Sequence, residues 1–514
     1  MPTPARTVVV GLDGCSWNVL DPLLETGRLP NLAAMRETGT SGVLESVVPF
    51  YTGPAWSSFA TGVSPGAHGV YDFLMLREDG SLTPAASSDL RRKTYFELLG
   101  EAGRRSVLVN LPLDQQEVEG AVIVNSWLTV DEARRLFPRA LRSRYERELT
   151  AYRNYPTTFD ESLDRHLQDL CELEETRFDL ARALFLQEEW DHFFLLFSAP
   201  DWLGHKATGA FLAGDPEARA AFERLYAQLD GYVGWLREHA ADATLAVLSD
   251  HGQCEEAHVV HVNGVLRELG YVRLRRERES AGGAVRVPAL LRPLRRSRLL
   301  RGAARAGKSA FARAGVEVIT PGEGADVDRT ASHAFTPTVA SYAVYADDSV
   351  DIRRVCARLR DQRLEDGRAA FDGVWTFEEL YGRERPLGGP AIVYAPAVGV
   401  RPSVAVREPF VTAPRERGRG AHQRDGMILL GGEGTAHGEL DRPALFDLCP
   451  TLLWAMDEPI PAESDGRVLF EAFTPDFAGT RDLRVVDASA VDRSSYARED
   501  EGLVEDRLRA LGYL

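Results

Sequence analysis

Lysine is almost missing from this chain. Of 514 residues only Lys93, Lys206 and Lys308 carry it, so arginine supplies nearly all of the positive charge. Asp and Glu number 77 against 60 Lys and Arg, a formal charge of −17. That deficit excludes nucleic acid as the default partner, because a phosphate backbone wants a basic face. Cysteine is scarce as well. Cys15, Cys171, Cys254, Cys356 and Cys449 are odd in number and scattered, which excludes a disulfide framework and a Cys-x-x-Cys metal knuckle and fits a reducing compartment. No stretch approaches the roughly 18 uninterrupted apolar residues of a membrane-spanning helix. The opening "MPTPARTVVVGLDG" enters a strand at once, without an apolar core of signal-peptide length. A cytoplasmic location with no transmembrane segment is therefore expected.

What the chain does have is an ordinary soluble composition, 44% hydrophobic and 27% charged. Short β-branched runs alternate with helical patterns, the pattern of a mostly parallel sheet covered by helices. Strands are expected at "TVVVGL" (7–12), "RRSVLVN" (104–110), "GAVIVNS" (120–126), "WDHFFLLFS" (190–198) and "ATLAVLS" (243–249). Further strands are expected at "ASYAVYA" (340–346), "AIVYAP" (391–396) and "GMILLGG" (426–432). Residues 128–189, rich in Arg and Glu at helical spacing, read as helical and as lying over the sheet. Residues 271–330 are basic inside an acidic protein. They read either as a cap helix greeting an anionic substrate or membrane surface, or as a solvated insertion. The closing "YAREDEGLVEDRLRALGYL" reads as a docking helix with Leu503, Leu508 and Leu511 on one face.

Ligand-type residues gain meaning just after strands, because α/β sheets build their sites at the carboxyl ends. Asp13 ends "VVVGLDG", and Asp250 and His251 end "AVLSDHG". Asp201 and His205 follow a strand in "LLFSAPDWLGH", at the i, i+4 spacing that sets both on one helical face. His422 precedes a strand in "GRGAHQRDGMILL". Each piece alone has a bland reading as turn or packing residue. Three Asp and three His converging on one sheet edge would hold two divalent cations, zinc foremost, or manganese if the site is richer in oxygen.

A two-metal site still lacks a nucleophile, and "VPFYTGPAWSSFATGVSPGAHGVYDF" (48–73) offers several hydroxyls. Thr52 follows a strand-like "VLESVVPF" and precedes Pro54, which suits a first helical turn. Its hydroxyl would sit beside a helix N-terminus, whose N–H groups and dipole favour a phosphate. An N-cap is the alternative role. Ser57, Ser58 and Thr61 read as helix-packing residues and His68 as scaffold.

With these residues assembled, the chain resembles the alkaline phosphatase superfamily. Its type I phosphodiesterase/nucleotide pyrophosphatase branch and the predicted phosphohydrolase/phosphomutase relatives are the nearest in pattern. The likeness runs from "GLDG" through "PAW", "TG", "PGAHGVYDF", the Asp-x-x-x-His pair and "SDHG" to "DLCPTLLWAMDEPIPAESDGRVL" and "RLRALGYL". It implies a three-layer α/β sandwich with a mostly parallel central sheet, helices on both faces and an inserted cap. The catalytic core would span 1–270 and 331–480, the basic cap 271–330 and the tail 481–514. It further implies that Asp13, Thr52, Asp250 and His251 hold one metal, that Asp201, His205 and His422 hold the other, and that Thr52 is the nucleophile. His437 in "GTAHG" competes for the last ligand position, but "GAHQRDG" precedes a strand in the family's order. The implied activity is hydrolysis of a small anionic phosphate ester through a phosphothreonyl intermediate. A transferase or phosphomutase of the same superfamily, or a silent binding module, is the alternative. Where nucleotide pyrophosphatases commonly carry Asn, three residues after the nucleophile, this chain has Ala55. The residues fit neither a sulfatase nor a cofactor-independent phosphoglycerate mutase, which use a modified Cys or Ser and a Ser nucleophile.

Overall fold

The computed structural model describes residues 6–275 and 327–487, apart from 78, 130 and 160, together with 507. Its centre is a sheet of nine strands. The run Arg6–Leu12 lies in the middle, parallel to His192–Phe197 on one side and to Ala243–Leu248 on the other. Ser106–Val109 and Ala121–Val124 extend the sheet in parallel beyond His192–Phe197, and Leu136–Phe137 closes that edge antiparallel. On the other side Ile428–Gly432 pairs antiparallel with Ala243–Leu248 and with Thr40–Gly42, and Thr40–Gly42 runs parallel to Gly438–Leu440.

Both faces of this sheet are covered, which is why its strands read as continuous apolar runs rather than alternating ones. Val8, Val10 and Leu12 join one buried cluster while Val9 joins the other. Phe193, Leu195 and Phe197 likewise part from Phe194 and Leu196, as the two-residue period of a strand requires. Helices Leu163–Gln187 and Pro216–His239 pack on the first face, through residues such as Leu173, Leu180, Leu225 and Leu229. Helices Thr52–Thr61 and Leu448–Ala455 pack on the second, through Trp56, Phe59, Leu452 and Trp454. The arrangement is the expected α/β sandwich, a mostly parallel central sheet with helices on both faces.

Two expectations are corrected. Residues 128–189 are not helical throughout: the helices are Glu146–Ala151 and Leu163–Gln187, and Leu136–Phe137 is the sheet's edge strand. Pro138 and Pro156 interrupt the pattern, since proline lacks the N–H a helix interior needs and restricts the residue before it. The apolar "VLESVVPF" before Thr52 forms only an isolated bridge at Glu45, and Pro49 has no N–H to offer a ladder. The runs at 340–346 and 391–396 do form strands, Ala343–Ala346 and Ile392–Pro396, but in a separate four-stranded sheet with Ala334–Phe335 and Phe371–Thr376.

Most of the expected basic cap (276–326) and the C-terminal helix with Leu503, Leu508 and Leu511 lie outside the described residues. Arg507 is described, and its guanidinium donates to the carbonyls of Trp127 and Thr129. All five cysteines are free and buried. No helix among the described residues is long and apolar enough to cross a membrane.

Candidate active site

The parallel strands end together, and the residues singled out after them meet there. Arg6–Leu12 delivers Asp13, and Ala243–Leu248 delivers Asp250 and His251. Asp13, Asp250 and His251 present one ligand atom each within 4.8 Å of one another. His251 Nε2 lies 3.4 Å from Asp250 Oδ2 and 3.7 Å from Asp13 Oδ1. Asp250 Oδ2 is buried and accepts no hydrogen bond, an expensive state for a carboxylate oxygen unless a cation faces it.

Helix Ala199–Leu212 follows strand His192–Phe197 and carries Asp201 and His205 one turn apart. Their facing atoms, Asp201 Oδ2 and His205 Nε2, are 3.4 Å apart. His422 comes from a short strand, Gly420–Gln423, that pairs antiparallel with Gly252–Glu255 directly after His251. This pairing brings His422 Nε2 to 3.3 Å from Asp201 Oδ1 and 3.0 Å from His205 Nε2. Two imidazole lone pairs aimed at one another need a proton or a cation between them. Asp201, His251 and His422 form a second group of converging ligand atoms, so His251 touches both. Its ring stacks on that of His422, with centroids 3.8 Å apart.

Backbone carbonyls set the tautomers. His251 Nδ1 donates to the Gly252 carbonyl at 3.2 Å, and His422 Nδ1 to the Phe50 carbonyl at 3.3 Å. Each ring therefore turns Nε2 inward as the ligand atom, the usual second support of a metal-binding histidine. Burial lowers His251 to about 4 and lowers His422 as well, so both are neutral. Burial, with the charges of Asp250 and Asp201, raises Asp13 well above the ordinary carboxylate range. Asp250 is also raised by burial. Burial pushes Asp201 the same way, but His205 and His422 more than offset it and hold Asp201 well below that range. Three buried aspartates and three converging histidine Nε2 atoms make a donor set suited to divalent cations.

Thr52 is the first residue of helix Thr52–Thr61, and Tyr51 occupies the cap position. Its hydroxyl does not cap the helix; it lies 3.4 Å from Asp13 Oδ1 and 3.4 Å from His251 Nε2. Two contacts hold the helix end over the strand tips. Trp56 lies on Gly11, where a Cβ would come within 2.7 Å of the indole. The Tyr51 ring rests on that of His422, centroids 4.3 Å apart. The other hydroxyls do as expected: Ser57 and Thr61 donate back to the carbonyls of Gly53 and Ser57. Ser58 pairs with His68, whose burial lowers it to about 3, consistent with scaffold. Ala55 is fully buried among Leu44, Val47 and Trp56. His437 lies elsewhere, at the sheet's far edge, with its Nδ1 on the Gly39 carbonyl.

Two supports were not singled out in the sequence. Glu174, fully buried in helix Leu163–Gln187, accepts the Ala199 N–H at 2.7 Å and so caps the helix that carries Asp201 and His205. Arg177 pairs with it, equally buried. Asn110, at φ 67°, donates to the Leu196 carbonyl at 2.9 Å and to the Ser198 hydroxyl at 3.0 Å. A Glu and an Arg three residues apart on the apolar side of a long helix were the available sign of the first.

Known proteins share this fold. The model of the type I phosphodiesterase / nucleotide pyrophosphatase family matches residues 7–338. Phosphonoacetate hydrolase from Sinorhizobium meliloti 1021, in complex with phosphonoformate, superposes with a TM-score of 0.57 at 18% identity, over 88% of this chain and 95% of that one. Murine ectonucleotide pyrophosphatase/phosphodiesterase 5 gives 0.52 at 12% identity, over 91% and 100%. The inactive threonine-to-alanine variant of that murine protein, in complex with AMP, gives 0.50 at 12%, over 88% and 95%. The fold is thus shared with structures of the alkaline phosphatase superfamily. The chain belongs to the type I phosphodiesterase / nucleotide pyrophosphatase family, a family of phosphoester hydrolases.

Proposed function

We propose that the protein is a metal-dependent phosphoester hydrolase acting on a small anionic substrate through a phosphothreonyl intermediate on Thr52. The observation that carries this reading is the Thr52 hydroxyl, free of capping duty and equidistant from Asp13 Oδ1 and His251 Nε2 at 3.4 Å. Asp13, Asp250 and His251, with Thr52, would hold one divalent cation; Asp201, His205 and His422 would hold the other. The nitrogen content of the second set favours zinc, and the oxygen content of the first also suits manganese. When bound, the two cations would supply Lewis-acid stabilisation of the charge on the entering and departing oxygens.

The chain's own residues supply the rest. In the first turn of helix Thr52–Thr61, Pro54 has no N–H and the Ala55 N–H donates to the Tyr51 carbonyl, so the Thr52 and Gly53 N–H groups are the ones that would be offered to a phosphoryl group. The Thr52 hydroxyl gives its proton to solvent, and the Thr52 oxygen bonds to phosphorus as the ester oxygen departs. Water then takes the phosphoryl group from Thr52, restoring the hydroxyl. The threonine-to-alanine change that marks the inactive murine variant supports the choice of nucleophile. Ala55, in place of the family's common Asn, argues against assuming a nucleotide substrate. The free, buried cysteines support a reducing, cytoplasmic setting.

The test is hydrolysis of aryl phosphate mono- and diesters by wild type and Thr52→Ala. Loss of a nucleophile costs about 10⁴- to 10⁶-fold in kcat, so the variant should be nearly silent. Undiminished turnover would remove Thr52 from the chemistry. Zinc-loaded wild type with no activity on any ester would favour a binding module.

A further inference from the structure

We propose that Gln253 is a positioning residue, which fixes the carboxylate of Asp201 and thereby the ion-holding geometry of Asp201, His205 and His422. This rests on the two-ion reading above. Gln253 stands directly opposite His422 in the short antiparallel pair. Its Nε2 donates to Asp201 Oδ1 at 2.6 Å and to the Asp201 carbonyl at 3.0 Å. Its Oε1 accepts from the Thr208 hydroxyl at 2.9 Å. The reverse amide orientation would set the amide oxygen against two acceptor oxygens of Asp201, so only one orientation satisfies the set. The Gln253 backbone is tied to the segment after Asp13: its N–H donates to the Ser16 hydroxyl at 3.2 Å, and its carbonyl accepts from Asn18 Nδ2 at 2.9 Å.

The space around the amide is made by three glycines, one from each neighbouring ligand segment. A Cβ on Gly204, beside His205, would lie 2.0 Å from Gln253 Oε1, and one on Gly420, two residues before His422, 2.7 Å from it. A Cβ on Gly14, beside Asp13, would lie 3.1 Å from Gln253 Nε2 and 3.0 Å from Asp201 Oδ1. Any larger residue at Gly204 or Gly420 would displace the amide. With Oδ1 engaged, the carboxylate cannot rotate, and Oδ2 stays turned to His205 at 3.4 Å. The role of Gln253 is therefore in the pose of a ligand, separate from the ligands themselves.

The test is titration of the metal-free full-length protein with Co²⁺, followed by its visible absorption, in wild type, Gln253→Met and Thr208→Val. Wild type should take up two ions. Loss of an outer-shell partner typically weakens a site about 10- to 100-fold, so Gln253→Met should weaken one ion by that factor and alter its absorption band. The other ion should bind as in wild type. Thr208→Val, which removes only the hydroxyl on Oε1, should weaken the same ion by a few-fold, and it carries the test if Gln253→Met does not fold. Wild-type affinity for both ions with an unchanged spectrum would overturn the assignment, as would equal weakening of both. Wild type that binds no cobalt at all would overturn the two-ion reading itself.

Discussion

The two ligand clusters lie side by side, joined by the stacked rings of His251 and His422, yet they are built differently. Asp13, Asp250 and His251 come from the tips of two adjacent parallel strands, so the central sheet itself fixes them. Asp201, His205 and His422 come from a helix and a short antiparallel strand pair, so they depend on Glu174 at the helix start and on the pairing of residues 252–255 with 420–423. The first cluster has two carboxylates, one raised well above its ordinary range and one with an unpartnered oxygen. The second has a single carboxylate, held low by two imidazoles. The sheet thus fixes the oxygen-rich set beside Thr52, and the helix and the short strand pair are braced to present the nitrogen-rich set.

The largest way to break this comparison is to empty both clusters. Chelation should abolish hydrolysis, with recovery on adding zinc, and should lower the thermal midpoint by about 5 °C or more. Unchanged activity after complete chelation would contradict both clusters at once. Single substitutions separate them. Asp250→Ala and His422→Ala should each lose one ion of the pair and at least about 100-fold in kcat. His251→Ala, which touches both groups, should weaken both ions. Metal content by mass spectrometry decides, and two tightly held ions in His251→Ala would show that the clusters are independent. A subtler difference is metal preference. In mixed zinc and manganese, manganese should enter the oxygen-rich cluster first, so Asp250→Ala should lose more manganese than zinc.

The smallest effect lies behind the clusters, at Asp72. This buried acid accepts a hydrogen bond from the Thr338 hydroxyl, and burial raises it from 3.8 to about 7. A raised acid keeps its proton in the folded state to higher pH than in the unfolded chain. Its contribution is therefore fully present below the ordinary carboxylate range and is lost as pH rises through about 7. The span corresponds to roughly 4 kcal/mol at most. Denaturant midpoints across that range should slope downward more steeply in wild type than in Asp72→Asn. Parallel slopes would show that Asp72 is ionised throughout.

Much of this site could be read from the sequence because strand tips place single residues. Asp13, Asp250 and His251 follow runs whose largely apolar character announces a buried parallel strand, and the i, i+4 spacing of Asp201 and His205 announces a helical turn. His422 was harder, since its position depends on an antiparallel pair of strands from segments far apart in the chain, which no local pattern encodes. Gln253 was illegible for the same reason, since a Gln after a turn has an ordinary surface reading until tertiary packing buries it, and Glu174 showed only through its spacing to Arg177 on the apolar side of a long helix. The misread of 128–189 has a different cause. Arg and Glu spacing signalled helix there, while Pro138 and Pro156 broke it locally.

The central claim, two successive displacements with Thr52 as the first nucleophile, is tested most directly by stereochemistry at phosphorus. A chiral phosphorothioate diester hydrolysed in heavy-oxygen water should give product with net retention, because each in-line displacement inverts once. Net inversion would mean that water attacks the substrate directly and would contradict the phosphothreonyl route.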